Sequence, residues 1–303
     1  RYIEAAKMRV NGAECRMITR VAESLSALFA EAGIRRVFVE SGLTLGEFDA
    51  LKRDIPGVDW QGGAELEGWM GSLRLCKTPE ELARIRQAQA LTEYGFEHIL
   101  PFIRAGRTER EIALELEFLI RKQGAEGTAF DFIVVSGPNS SLPHGVPGER
   151  VLQDGDFVTM DFGAMVDGWR SDMTRTVAIG RVSAEQRRVY DTVLEAQAAC
   201  LSVLRAGLPC VEGDRAARDV IDRAGYTGCF GHGTGHGVGV DIHEEPRLSP
   251  GAGRTILQAD SVVTVEPGIY LEGRFGVRIE DMVRITPDGC ENLTNARKEL
   301  ICL

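Results

Sequence analysis

Three of the chain's five histidines fall within residues 231–246, GHGTGHGVGVDIHEEP. His232 and His236 lie four apart, the spacing that sets two zinc ligands on one face of a helix. Gly231, Gly233, Gly235, Gly237 and Gly239 argue against that helix, since each costs it roughly 1 kcal/mol. A phosphate loop would need Lys followed by Ser or Thr, and none is present. The run leads into Val238–Ile242, which alternates like a strand rather than opening the helix that a dinucleotide loop requires. A helical zinc protease motif needs H-E-x-x-H, but His243-Glu244-Glu245-Pro246 has no second His. What remains is an extended glycine-rich backbone that substrate or metal can approach closely, with imidazoles projecting from it. One ligand histidine with auxiliary histidines beside it is the expectation.

Four acids could complete such a site. Asp161 follows Phe157-Val158-Thr159-Met160, and Glu266 follows Val262-Val263-Thr264-Val265, each where an apolar strand meets a turn. Asp172 and Glu280 lie on the return strands, where side chains two apart share a face, so Arg170 points with Asp172 and Arg278 with Glu280. Strand interiors disfavour Asp and Glu, and buried carboxylates close together are costly unless cations neutralise them. Four carboxylates and one imidazole suit a pair of divalent ions, with hard oxygen ligands favouring Mn or Co. The plainer reading, surface acids paired with nearby Arg, would suffice for any one of them alone. His144, in SGPNSSLPH (136–144), would by itself read as a loop residue, and His98 as a packing histidine on the apolar side of a helix.

The elements that must carry these residues form a repeating pattern. Leu152–Asp161 aligns without gaps against Leu257–Glu266, and Gly168-Trp169-Arg170-Ser171-Asp172 against Gly276-Val277-Arg278-Ile279-Glu280. Two similar α+β halves folded face to face would bring two acid-bearing hairpins together. Capping boxes at Thr78-Pro79-Glu80-Glu81, Thr108-Glu109-Arg110-Glu111 and Ser183-Ala184-Glu185-Gln186 open helices, and a fourth helix is expected over Asp214–Ala224 with Gly225 as its cap. Strands are expected over Phe130–Ser136, Phe157–Phe162, Gly168–Ile179, Ser261–Glu266 and Gly276–Ile285. Residues 1–76 read as a smaller α/β unit, with helical Met17–Ala32, strand Val37–Glu40, a capping box at Thr44 and a strand near Val58–Gln61. It carries no histidine and is assigned packing or interface work. A domain boundary is expected near Lys77.

At 303 residues, with 44% apolar and 26% charged content, the composition is that of a soluble globular protein with a well-buried core. The net charge of −10, with no Lys/Arg cluster, argues against nucleic-acid and membrane-surface partners. No apolar run approaches the roughly 20 residues that cross a bilayer. Seven cysteines without a C-x-x-C pair point to a reducing cytoplasm and to buried, apolar thiols. The chain opens Arg1-Tyr2-Ile3-Glu4 without an initiator Met, so the start of the first domain is expected to be missing.

Taken together, SGPNSSLPH, MDFGAMVDGWRSDMTRT, GHGTGHGVGVDIHEEP, VEPGIY and GVRIEDMV closely resemble the pita-bread metallopeptidases, especially Xaa-Pro dipeptidase (prolidase) and aminopeptidase P. The resemblance runs from about Lys77 to the end. It implies an α+β pita-bread (creatinase/aminopeptidase) fold with a pseudo-twofold internal repeat over 77–303, preceded by a partial creatinase-like α/β domain over 1–76. It implies two divalent ions per subunit, Mn with Co, Zn or Fe as alternatives. Asp161 would hold one ion, His236 and Glu266 the other, and Asp172 and Glu280 both.

A bridging water, ionised to hydroxide, would attack the bond before proline, with Glu266 relaying its proton. His243 and His144 would bind the substrate carbonyl and stabilise the oxyanion. His232 would contact the proline side, and Arg278 would orient Glu280. The implied substrate is a proline-containing dipeptide or short peptide, and the implied assembly a homodimer. A non-catalytic peptide-binding protein, or another metal-dependent hydrolase or lyase of the same fold, would be the rivals, although both the peptide-binding members and creatine amidinohydrolase depart from this ligand set.

Overall fold

The computed structural model describes residues 2–303. The chain divides into two compact units, Arg1–Ser72 and Leu73–Leu303.

The first unit is built around a strand–helix–strand crossover. Helices α1 (Ile3–Arg9) and α2 (Val21–Ala32) precede strand β1 (Arg36–Val39). α2 ends at Gly33, whose φ of 67° lets its N–H turn back onto the carbonyls of Phe29 and Ala30. Thr44 and Glu47 cap α3 (Leu45–Asp54) reciprocally, and β2 (Asp59–Gly62) then pairs parallel with β1. Phe29 and Ile55 are buried there, with Trp60 edge-on to Phe29. α4 (Ala64–Leu75) carries the chain onward.

The second unit repeats one arrangement twice: two helices, then a long kinked hairpin. In the first half the helices are α5 (Pro79–Ile99) and α6 (Glu109–Lys122), opened by the capping boxes at Thr78 and Thr108. Strands β3 (Gly127–Thr128), β4 (Ile133–Ser136), β5 (Phe157–Phe162), β6 (Ala164–Val166), β7 (Trp169–Arg170) and β8 (Met173–Ala178) follow. Helices α7 (Ala184–Val203) and α8 (Cys210–Arg223) open the second half. Strands β9 (Gly235–Gly237), β10 (Glu244–Leu248), β11 (Val262–Val265), β12 (Gly268–Leu271), β13 (Phe275–Arg278), β14 (Asp281–Ile285) and β15 (Cys290–Asn292) complete it. α8 begins before the expected Asp214, because Pro209 presets the turn into it.

Each half has its own apolar core. Phe96, Ile99, Ile112 and Leu116 pack on Val134, Met160 and Phe162, while Val193, Ala196, Cys200 and Ala217 pack with Val263, Val265 and Val283. Each fully buried Val, Ile, Leu, Phe or Met among them contributes about 1.5–3 kcal/mol, which fixes the helices against the sheets β4-β5-β8 and β10-β9-β11-β14-β15.

Both hairpins keep one register through their kinks. Asp161 pairs with Thr174 and Met165 with Arg170, while Val265 pairs with Asp281 and Gly268 with Arg278. Carried one residue beyond Val265, the second register sets Glu266 against Glu280. Thr174, not Asp172, is therefore the counterpart of Glu280, since the second hairpin is three residues longer between its acids. The halves repeat, but the sequence likeness of their return strands is offset from the structural pairing.

Several expectations change with packing. The return strands are not continuous: they break at Ser171-Asp172 and at Ile279-Glu280, so both acids sit at kinks. Val238–Ile242 is a bend rather than a strand, closed by Gly239 N donating to the Asp241 carbonyl. His98 is exposed, its ring stacked on Tyr94 and its Nδ1 on the Tyr94 carbonyl. Cys200 and Cys210 are buried, but Cys76 and Cys302 are exposed.

Candidate metal centre

The alternating glycines have a steric cause. A Cβ on Gly235 would lie 1.9 Å from the Thr264 carbonyl oxygen, and one on Gly237 2.3 Å from that of Glu245. β9 lies between β10 and β11, and only glycines flanking His236 allow that close approach. The close neighbours are the protein's own backbone rather than a ligand. His236 is thereby held in a sheet with its ring pointing out. Its Nδ1 donates to the Gly237 carbonyl at 3.0 Å, leaving Nε2 with a free lone pair when the ring is neutral.

His236 Nε2 lies 3.3 Å from Glu266 Oε1 and 3.5 Å from Asp172 Oδ2. Ligand atoms of Asp172, His236 and Glu280 all fall within 4.8 Å of one another. A cavity of about 390 Å³ opens here, lined by Asp161, Asp172, His236 and Glu266, by His144, His232, His243 and Arg278, and by Arg247. Glu280 stands behind it, 1% exposed. All nine residues singled out in the sequence thus surround one cavity.

The cluster is electrostatically incomplete. Burial, reinforced by Glu280, Asp161 and Glu266, pushes the Asp172 carboxyl well above the usual carboxylate range. Burial does the same to Glu280, with Glu266 and Asp161 adding to it. For Asp161 burial also wins, although Arg278 opposes it. Burial works against ionising Glu266 too, but the hydrogen bond and charge of His236, with His232 and Arg278 behind, hold it at about 2. That depression needs a proton on His236, which a cation bound at Nε2 would displace.

Three buried carboxylate oxygens, Asp161 Oδ1, Asp172 Oδ1 and Glu280 Oε1, have no hydrogen-bond partner. Orphaned acceptors of this kind cost several kcal/mol together unless something satisfies them. An oxygen-rich set with one imidazole fits a hard divalent cation.

Arg278 departs from its expected role. Its Nη2 donates to Asp161 Oδ2 at 2.6 Å, Nη1 to Tyr270 Oη at 2.8 Å and to the Pro143 carbonyl at 3.2 Å, and Nε to Thr174 Oγ1 at 3.0 Å. It reaches Glu280 only through Thr174, whose hydroxyl donates to Glu280 Oε2 at 2.6 Å. A guanidinium cannot sit directly on Glu280 while its fork is occupied by Asp161 and Tyr270.

His232 is held in one tautomer. Its Nδ1 must donate to the Gly233 carbonyl at 2.8 Å, because that oxygen can only accept. Burial lowers its pKa, so the ring is neutral at pH 7 and Nε2 accepts from Tyr270 Oη at 2.9 Å. Burial in turn pushes the Tyr270 phenol up to about 12. His243 is exposed and stands edge-on to His236 at 4.5 Å; burial of part of its ring and then His236 lower its pKa. His144 is exposed.

Two residues with clear places here were missed in the sequence. Tyr270 lies within VEPGIY, but nothing local says that it links Arg278 to His232. Arg247 lines the cavity and has no ion-pair partner among the described residues; only its position directly after the glycine-rich segment could have flagged it.

Comparison with known proteins agrees with this chemistry. The sequence profile of metallopeptidase family M24 matches residues 83–287. The chain is 36% identical over 269 residues to the Xaa-Pro dipeptidase of Pyrococcus horikoshii, covering 89% of this chain and 76% of that one. Among solved structures, the Xaa-Pro dipeptidase from Bacillus anthracis superposes with a TM-score of 0.94 at 42% identity, covering 100% of this chain and 84% of that one. The X-Pro aminopeptidase from Thermotoga maritima gives 0.93 at 37%, covering 100% and 83%. With the pita-bread fold, a buried carboxylate–imidazole cluster and this kinship, the chain belongs to metallopeptidase family M24 and is a metal-dependent peptidase.

Proposed function

We propose that the enzyme hydrolyses the peptide bond preceding proline in Xaa-Pro dipeptides, using two divalent ions, with Mn as the working metal. The observation that carries this reading is the set of three buried, partnerless carboxylate oxygens on Asp161, Asp172 and Glu280, two of whose residues stand with His236 so that their ligand atoms lie within 4.8 Å of one another. Asp161, Asp172, His236, Glu266 and Glu280 would hold the ions. Bound there, the metal supplies Lewis acidity and lets a water ionise near neutral pH.

The protein's own groups do the rest. Glu266 accepts the proton of the attacking water and passes it to the departing prolyl nitrogen. His243 and His144, free at the cavity wall, donate N–H to the carbonyl oxygen as it gains charge. Both nitrogens of His232 are already engaged, so it offers its ring to the apolar pyrrolidine. Arg247, an unpaired guanidinium on the cavity wall, suits the free carboxylate of a dipeptide. That favours a dipeptidase over an aminopeptidase, although relatives of both descriptions are similar to the chain. A homodimer in the cytoplasm completes the proposal.

Rates on Ala-Pro and Ala-Pro-Ala with Mn test it. Ala-Pro should be the better substrate, and Arg247→Met should raise its KM about tenfold or more while leaving Ala-Pro-Ala nearly unchanged. Equal rates on both peptides, unaffected by the substitution, would rule out the dipeptidase reading.

A further inference from the structure

His144 sits in the loop between β4 and β5, and a single carboxylate buried outside the cavity ties the chain on both sides of it. Glu109 is 0% exposed and does not line the cavity. Its Oε1 accepts from Ser136 N at 2.7 Å, Ser136 Oγ at 2.9 Å and Asn139 Nδ2 at 3.1 Å. Its Oε2 accepts from Gly148 N at 3.2 Å and Asn139 Nδ2 at 3.3 Å. Ser136 precedes His144 by eight residues and Gly148 follows it by four. Glu109 makes no ion pair among the described residues; Arg150 reaches it only through a hydroxyl, with Nη1 donating to Ser136 Oγ at 2.6 Å.

The opposite side of the loop is pinned to the second hairpin. Gly276 N donates to Ser140 Oγ at 2.8 Å, and Arg278 Nη1 to the Pro143 carbonyl. The His144 ring itself has no hydrogen bond among the described residues, so its place is set by this backbone and not by its own contacts. A buried carboxylate is tolerable only when its acceptors are filled. Every donor that fills those of Glu109 comes from the last residue of β4 or from the loop after it, so satisfying the carboxylate and shaping the loop are one event.

We propose that Glu109 is a positioning residue for catalysis: it fixes the reach of His144 toward the substrate carbonyl. The inference rests on the oxyanion role proposed for His144 above. Glu109→Gln tests it, because the amide sets an N–H₂ group against the loop's donors at one of the two oxygens and releases one end of the loop.

With Ala-Pro, kcat should fall roughly 10–100-fold with KM within about twofold and metal content unchanged. In a His144→Ala background, itself slowed, the same substitution should change kcat less than about twofold. Should Glu109→Gln prevent folding, Asn139→Ala removes one shared donor and should give a smaller loss with the same non-additivity. A slowed His144→Ala combined with an equal further loss from Glu109→Gln would overturn the positioning role alone. If His144→Ala were as fast as the parent, the oxyanion role would fall and Glu109's with it.

Discussion

Arg278 Nη2 donates to Asp161 Oδ2 at 2.6 Å, so one carboxylate of the cluster has a buried guanidinium of its own. No guanidinium donates to Asp172 or Glu280; each keeps a buried oxygen without a partner, and burial holds both carboxyls well above the usual range. The protein thus supplies part of the neutralisation itself, and the proposed ions would supply the rest.

Replacing Arg278 separates these contributions. Arg278→Lys cannot span Asp161, Tyr270, Thr174 and the Pro143 carbonyl together. A loss of roughly 10–100-fold in metal affinity or kcat is expected. Arg278→Met should also destabilise the metal-free protein by about 3–5 kcal/mol, because Asp161 is left buried without its partner. Denaturant titration with and without Mn, beside steady-state kinetics, reads both effects.

In the metal-free protein Asp172 and Glu280 should weaken stability as pH rises. Asp172 and Glu280 have folded pKa values above their unfolded ones. Their stabilising contribution is complete below the unfolded value, roughly 4, and is lost as pH climbs through the raised one. Burial lowers the pKa values of His232 and His243, which adds stability as pH rises through the same range. The carboxyl contribution is therefore read as a difference: between pH 5.5 and pH 7.5 the melting temperature of stripped Asp172→Asn should change more favourably than that of stripped parent, and the variant should lose the gain produced by Mn. Equal changes in parent and variant would contradict this reading of the cluster.

The glycines of 231–239 differ in what they allow. Nothing lies within 4 Å of a Cβ placed on Gly231, whereas one on Gly235 collides with the Thr264 carbonyl. Gly231→Ala should stay within about 0.5 kcal/mol of the parent. Gly235→Ala should cost ~3 kcal/mol and reduce metal content, because β9 must shift His236 to make room. Chemical denaturation with elemental analysis of both variants is the check.

These relations explain how far the sequence could be read. Helix starts at Thr44, Thr78, Thr108 and Ser183 were legible because a capping box is a local device, complete within four residues. The four acids and His236 stood out because carboxylates at strand ends need a reason wherever they occur. Partner choice was not legible. Strand parity placed Arg278 with Glu280, but its fork is claimed by Asp161, Tyr270 and Thr174, which lie far off in the chain or on the facing strand. The Val238–Ile242 alternation failed as a strand because the chain must bend there to bring His243 and Glu244 back beside His236. Glu109 looked like an ordinary first-turn helix acid; its hold on the chain on both sides of His144 exists only in three dimensions.

The central claim is that Asp172 and its neighbours hold catalytic metal. It is tested most directly by removing bound metal with a chelator and titrating Mn back while following Ala-Pro hydrolysis. Stripped protein should be inactive, activity should saturate near two equivalents per chain, and Asp172→Ala should stay inactive at every Mn concentration. Full activity in stripped protein, or an Asp172→Ala variant as active as the parent, would contradict the account.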